Sequence, residues 1–268
     1  RADFNRSWTG TSYGSGYEGQ GCVNDEMTNY YVEFMKKHIF AYLNPPITSK
    51  VLPMYWYLGY NVYSKSVLEV GGVILASWIV PIHENYDGLD YWCTCMFGED
   101  NPSDPYLIPT DRALLDRRRK MILAPVLEKA VKAGNIIIPE EFEVGFDHVT
   151  NLIAGLGMED DPNYYLTRGY PGSVNTYVFN SISEPANNSY PPTNEETFIG
   201  YMHLSMYYNQ ARLAEVYPAD KYPFLTEKFA FVQKYLKDKY QIDLEAIANG
   251  PEDWNLPLPP IPETPDEE

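Results

Sequence analysis

TNEETFIGYMHLSMY at residues 193–207, followed by PFLTEKFAFVQKYLKDKY at 223–240, is the stretch from which the fold is read. Thr193 or Asn194 can accept hydrogen bonds from the free N–H groups of a helix start. Glu195 and Glu196 put negative charge in the first turn, where the helix dipole favours it. Phe198, Ile199, Met202, Met206 and Tyr207 then supply an apolar face. In the second segment Leu225, Phe229, Val232 and Leu236 recur at helical spacing, which leaves Lys228, Lys234, Lys237 and Lys239 mainly to water. Asp243 is placed to cap a short last helix from Leu244. The pattern predicts a helix pair joined by a turn and docked on a core, with no chemistry of its own.

Working outward, Asn24 or Asp25 caps a helix over 26–42, which stops before Asn44-Pro45-Pro46. Residues 50–60 and 67–82 are rich in β-branched and aromatic types. They read as two or three antiparallel strands with Ser64-Lys65-Ser66 as a turn, and Gly71-Gly72 as a bulge or a close backbone approach. A polar, aromatic loop is expected over 86–109. Asp111 then caps a helix over 112–133 that ends at Gly134, and Pro125 inside it predicts a kink or two helices. Another helix is expected over 140–156, then a long loop over 164–192. Helices and strands segregated in this way make an α+β fold. We expect a glycine-rich arm or loop over 1–26, a single α+β domain over 27–249, and a disordered acidic, proline-rich tail over 250–268.

Acids outnumber Lys and Arg by 37 to 20, for a net charge of −17, which argues against nucleic acid and anionic membrane surfaces. The one basic run, Arg117-Arg118-Arg119-Lys120, reads as the solvated face of a helix rather than a phosphate cradle. The longest mostly apolar run, Val70 to Ile82, is too short for a bilayer helix, so the chain is not expected to span a membrane. It begins at Arg1 rather than Met, and we expect a processed product whose export or anchoring signal is out of view. The spacing of Cys22, Cys93 and Cys95 leaves their pairing open, and Cys93 and Cys95 stand too close for a zinc knuckle.

The candidate sites are few. No Gly-x-Ser-x-Gly elbow, dinucleotide fingerprint or H-E-x-x-H pair is present. His83-Glu84-Asn85-Tyr86-Asp87 offers an imidazole and two carboxylates at a strand end, and reads as an ordinary loop. His38 and His203 read as packed or rim residues. Asp87, Asp90, Glu99 and Asp100 cluster near Tyr91 and Trp92 and could supply the two acids of a glycosidase. With 24 Tyr, 11 Phe and 5 Trp in the chain, exposed aromatics are the expected contact surface for a ligand or partner, through Tyr86, Tyr91, Trp92, Tyr164, Tyr170 and Tyr177. Their alternative is packing back on the core.

Lys228-Phe229-Ala230-Phe231-Val232-Gln233-Lys234-Tyr235-Leu236, leading to Tyr240-Gln241-Ile242-Asp243-Leu244, resembles the C-terminal end of the zinc-binding metallopeptidase family called substrate import-associated zinc metallohydrolase lipoproteins. Three further echoes occur in order: Tyr60 with Val70-Gly71-Gly72-Val73-Ile74, then Pro139-Glu140-Glu141-Phe142, then Asn194-Glu195-Glu196-Thr197-Phe198. In that family H-E-x-x-H, on the helix before the Pro-x-x-Phe segment, and a later glutamate hold zinc. Here that helix is 112–133, which has no histidine. Aligning Phe198 puts Gly200 at the later glutamate, and a small shift would leave Glu196 instead.

The resemblance implies a mainly helical zincin-like domain with a small antiparallel sheet, a degenerate member of the family that has lost its metal site and uses no cofactor. It also implies a non-catalytic binding or accessory protein of an outer-membrane glycan import system, exported to the cell surface or outer membrane. Its partner would be a protein of the import complex or a glycan. Two alternatives stand beside this reading. One is a hydrolase, either the glycosidase above or a metallopeptidase whose atypical site draws on His83, Asp87, His148 and Glu196. The other is a structural subunit of a larger assembly.

Overall fold

The computed structural model describes residues 17–21, 24–81, 84–85, 91–95 and 111–256. In chain order the elements are β1 (Tyr17–Gly21), α1 (Asp25–Phe34), α2 (Pro45–Thr48), β2 (Tyr55–Val70), β3 (Val73–Pro81), β4 (Glu84–Asn85) and β5 (Tyr91–Cys95). There follow α3 (Arg112–Lys132), α4 (Glu140–Glu143), β6 (Ser173–Val174), β7 (Ile182–Ser183), α5 (Asn194–Tyr207), α6 (Gln210–Val216), α7 (Pro223–Tyr240) and α8 (Leu244–Asn249). This is an α+β protein. Compactness divides it into two units, the described parts of 1–38, 53–115 and 253–268 in one and 39–52 with 116–252 in the other.

The first unit is built on β2. It pairs antiparallel with β1 and β3, and its start runs parallel to β5, which carries β4 on its far side. The sheet is thus small and antiparallel but for one pairing. Two sequence expectations are corrected here. Ser64-Lys65-Ser66 is not a turn but lies within the unbroken β2, and the turn is Gly71-Gly72, with φ of +62° and +82°. Two successive left-handed residues are what a tight hairpin needs, and glycine adopts them without strain. Tyr91–Cys95, expected in a loop, is a strand, because parallel pairing with Tyr55–Gly59 gives its backbone partners. Likewise β1 lies inside the expected arm. In α1, Asn24 caps the start by accepting from Met27 N at 2.9 Å, and Tyr31 donates to the Thr94 carbonyl at 2.9 Å.

The second unit holds α5, α7 and α8 where they are expected, but the segment expected as a joining turn carries a further helix, α6, capped by Asn209. α5 starts with a capping box: Thr193 Oγ1 accepts from Glu196 N at 3.3 Å, and Glu196 Oε2 accepts from Thr193 N at 2.8 Å. α5 is buried on nearly every side, packing on α7, α8 and β6. α7 occupies the predicted range, ending at Gln241 in the left-handed conformation, and Asp243 caps α8.

Several expectations for this unit are overturned. Of the two outcomes expected at Pro125, a kink or two helices, the second does not occur: α3 is one continuous helix, and the residues around the proline (Ala124, Val126, Leu127) are fully buried, packing that offsets the lost backbone bond. The helix expected over 140–156 stops at Glu143, because Gly145 turns to φ +94° and Asp147 Oδ1 takes the N–H groups of Val149 and Thr150. The basic run is not a solvated face. Arg118, Arg119 and Lys120 are buried; Arg119 and Lys120 bind Asp116 at 2.7 Å each and donate to the carbonyls of Ile247 and Ala248 at the end of α8. Cations suit a helix C-terminus, where carbonyls lack partners.

Lys228 is likewise not left to water. It is 3% exposed, donates to the carbonyls of Phe142 at 2.8 Å and Glu141 at 3.3 Å, and lies 5.2–5.9 Å from the ring centres of Phe142, Phe146, Phe224 and Phe231.

Candidate functional site

A cleft of about 710 Å³ opens in the second unit. Its floor comes from two helices. α3 contributes Glu128 and Lys132, one turn apart, and α5 contributes Glu196, Gly200 and His203, spaced so that they share one face. The opposite face of α5 buries Phe198, Tyr201 and Met202 in the core, where the Tyr201 hydroxyl donates to the Gly169 carbonyl at 2.5 Å. The rest of the lining, the cleft walls, comes from Tyr170 to Val174, which include β6, with Thr176, and from Pro185 and Tyr190-Pro191-Pro192.

These walls are held from behind. His148 Nδ1 lies 2.7 Å from the Pro192 carbonyl, which requires the proton on that nitrogen. Tyr170 donates to the Asp147 carbonyl at 2.8 Å. Asp147 itself caps the turn at 149–150, and those bonds with Thr150 and Val149 hold its carboxyl down at about 2. Gly172 is φ +74°, and a Cβ there would stand 2.8 Å from the Ser183 carbonyl oxygen, so only glycine lets the β6–β7 hairpin close.

The floor charges are largely engaged with one another. Glu128 accepts from Lys132 Nζ at 2.5 Å, and that bond raises the Lys132 pKa. Glu196 is tied up in the capping box, and the Thr193 N–H and hydroxyl lower its pKa. His203, 8% exposed, has its Nε2 3.8 Å from Glu128 Oε2. Burial pulls its pKa down to about 4; Glu128 opposes the fall and Lys132 adds to it. The ring is therefore neutral at pH 7. Above this floor the walls are mainly Pro, Gly and Val with the Ser173 and Thr176 hydroxyls and the tyrosines Tyr170 and Tyr190, the latter 80% exposed.

No family model and no curated protein matches the chain. Among solved structures, it is similar to the crystal structure of a protein from Bacteroides caccae provisionally named a zinc-binding metallo-peptidase. The two share 14% identity with a TM-score of 0.41, over 84% of this chain and 75% of that one.

The aromatic residues singled out from the sequence fall in different places. Trp92 is buried against Trp56, ring centres 5.3 Å apart, in the first unit, and the side chain of Tyr91 and all of Tyr86 lie outside the described residues. Tyr164 is buried against Tyr165 at 4.8 Å. Tyr170 is buried and backs the cleft wall, and Tyr177, 44% exposed, follows the wall residue Thr176. Of the metal candidates, His83 and Asp87 lie outside the described residues. Among those described, no three His, Cys, Asp or Glu stand close enough to hold an ion together. No helix among them is long and apolar enough to cross a membrane. The acids considered for a glycosidase, Asp87, Asp90, Glu99 and Asp100, also lie outside. Glu128, Lys132 and Tyr190 were not singled out, although Glu128 and Lys132 at i and i+4 are a readable helical pair.

Proposed function

We propose that this chain is a non-catalytic binding or accessory protein that works at the cell surface alongside an outer-membrane glycan import system, and that the α3–α5 cleft is where it takes its ligand. The observation that carries this reading is the state of the cleft acids. Glu128 is bonded to Lys132, and Glu196 to Thr193. A general acid has its pKa raised, whereas the bonds on Glu196 keep it ionised. What remains open to a ligand is the wall: an exposed tyrosine on a proline-rich loop and two hydroxyls, surfaces that stack on the C–H face of a sugar ring and bond its hydroxyls. The import system and the export of the chain rest on the sequence resemblance.

A second reading, hydrolysis, is favoured by one fact: two carboxylates, Glu128 and Glu196, line the same cleft. The two separate on an array of neutral oligosaccharides. Binding without turnover, lost at least tenfold in Tyr190→Ala with folding intact, supports the proposal. Release of shortened sugars that stops in Glu128→Gln or Glu196→Gln overturns it in favour of a hydrolase, and binding untouched by Tyr190→Ala removes the cleft wall from the reading.

A further inference from the structure

We infer that the floor of the α3–α5 cleft is a subsite for a primary ammonium group, and that the ligand bringing it is an amino sugar. The inference rests on the reading of that cleft as the ligand site. It starts from His203, which lines the cleft, is 8% exposed and has its Nε2 buried without a hydrogen-bond partner. That nitrogen faces Glu128 Oε2 across 3.8 Å, too far for a hydrogen bond. A buried polar atom without a partner is costly, so a ligand group that answers it gains affinity.

Geometry selects the group. With its proton on Nδ1, the neutral ring presents Nε2 as an acceptor, and it then faces a carboxylate oxygen, also an acceptor. One donor atom with two N–H bonds, within reach of each, satisfies both. An ammonium has three such bonds and no lone pair, whereas a hydroxyl has a single O–H. A metal ion would need a further ligand, and among the described residues no three His, Cys, Asp or Glu stand close enough to hold one.

The floor already binds one ammonium, its own. Lys132 Nζ donates to Glu128 Oε1 at 2.5 Å, with 55% of its side chain in water. An ion pair so exposed contributes little, so Lys132 can swing aside and let a ligand take its place beside Glu128 and His203. Charge favours a cation over an anion, because two carboxylates, Glu128 and Glu196, line the cleft with that one lysine. The capping box uses only Oε2 of Glu196, and Oε1 has no hydrogen-bond partner among the described residues. The net charge of −17 adds to the same field. Tyr190 and the hydroxyls of Ser173 and Thr176 on the walls suit the rest of a sugar.

The test is titration calorimetry of the whole chain with a β-1,4-glucosamine tetramer, its N-acetylated counterpart and Nα-acetyl-lysine amide, at about pH 6, below the pKa of an amine. The glucosamine tetramer should bind at least about tenfold more tightly than the acetylated one, and Glu128→Gln should erase the difference. His203→Leu, which offers no acceptor, should narrow it by about threefold or more. Lys132→Met, which removes the internal ammonium, should tighten the glucosamine tetramer about threefold and leave the acetylated one within about a factor of two. Equal binding of the two tetramers, both lost in Tyr190→Ala, overturns the ammonium subsite and leaves the cleft reading intact. No binding of any of the three overturns both. Weaker binding of the glucosamine tetramer in Lys132→Met would make that lysine part of the site and overturn the inference too. Lysine amide binding as tightly as the glucosamine tetramer would keep the subsite and overturn the sugar as its source.

Discussion

Replacing Lys228 by methionine keeps the unbranched stem and deletes the charge, and the structure allows the cost to be worked out. The ammonium donates to two carbonyls, Phe142 at 2.8 Å and Glu141 at 3.3 Å. Hydrogen bonds from a charged group contribute about 1.5–3 kcal/mol each, and the four surrounding rings add about 0.5 kcal/mol or more apiece. Against this stands desolvation, large enough to lower the lysine pKa in the folded protein despite the neighbouring Glu227, and worth several kcal/mol for a buried ion. Methionine escapes that penalty but takes away the donor on which both carbonyls rely. The balance is a loss of about 2 kcal/mol. Followed by circular dichroism at 222 nm, this is a fall of about 1 M in the urea midpoint with an unchanged slope. Lys228→Arg, too wide for a slot between four rings, should fall by a similar amount through overpacking. A methionine variant as stable as the parent, or more so, would show that the carbonyl bonds do not outweigh the burial, and the reasoning would fail.

Two further outcomes follow from the cleft and its supports. His203 has a folded-state pKa of about 4 against an ordinary 6.5, so the unfolded chain binds the extra proton between those values. Stability should rise from pH 4 to 6.5 by about 3 kcal/mol from this residue; His203→Leu should flatten that part of the curve, and an unchanged slope would refute a buried neutral imidazole. At Gly169, φ is +79° and a Cβ would stand 2.5 Å from Phe224 Cδ1, whereas at Gly200 it would meet Pro171 Cγ at an ordinary 3.5 Å. Thermal melts should therefore separate Gly169→Ala, destabilised by at least about 2 kcal/mol, from Gly200→Ala, stabilised by about 0.5–1 kcal/mol. Similar melting temperatures for the two would contradict the geometry.

What could be read from the sequence was what neighbouring residues decide among themselves. Caps and spacing gave the start of α5 at Thr193, the whole of α7 and the capping of α8 by Asp243, because each depends on residues within one or two turns. Charged residues misled where they sit inside the apolar stripe. Lys228 falls three after Leu225 and four before Val232, and Arg119 falls four after Leu115 and three before Ile122, so the periodicity itself placed both on the buried face. The partners that make such burial tolerable, the carbonyls of Phe142 and Ile247, are remote in sequence and leave no local mark. Gly71-Gly72 carried a readable hairpin signal, which the run of strand-forming residues on both sides obscured. Of the cleft only the Glu128–Lys132 spacing was readable, as a helical pair and not as a site, since α3, α5 and the loops of 170–192 meet only in the folded unit.

One hydrogen bond bears on how the protein is made. Asn44, which caps α2, also donates to the carbonyl of Tyr240, 196 residues later, and Asn135 binds the carbonyls of Ile47 and Ser49. The segment 39–52 thus belongs to a unit whose remainder is 116–252. On a ribosome adding about 5–20 residues each second, it emerges ~10 to 40 s before Tyr240. Through that interval Ile47 and Val51, buried in the finished fold, have no native surface to cover them. The segment 39–52 therefore cannot complete its native contacts until the last helices of its unit are present.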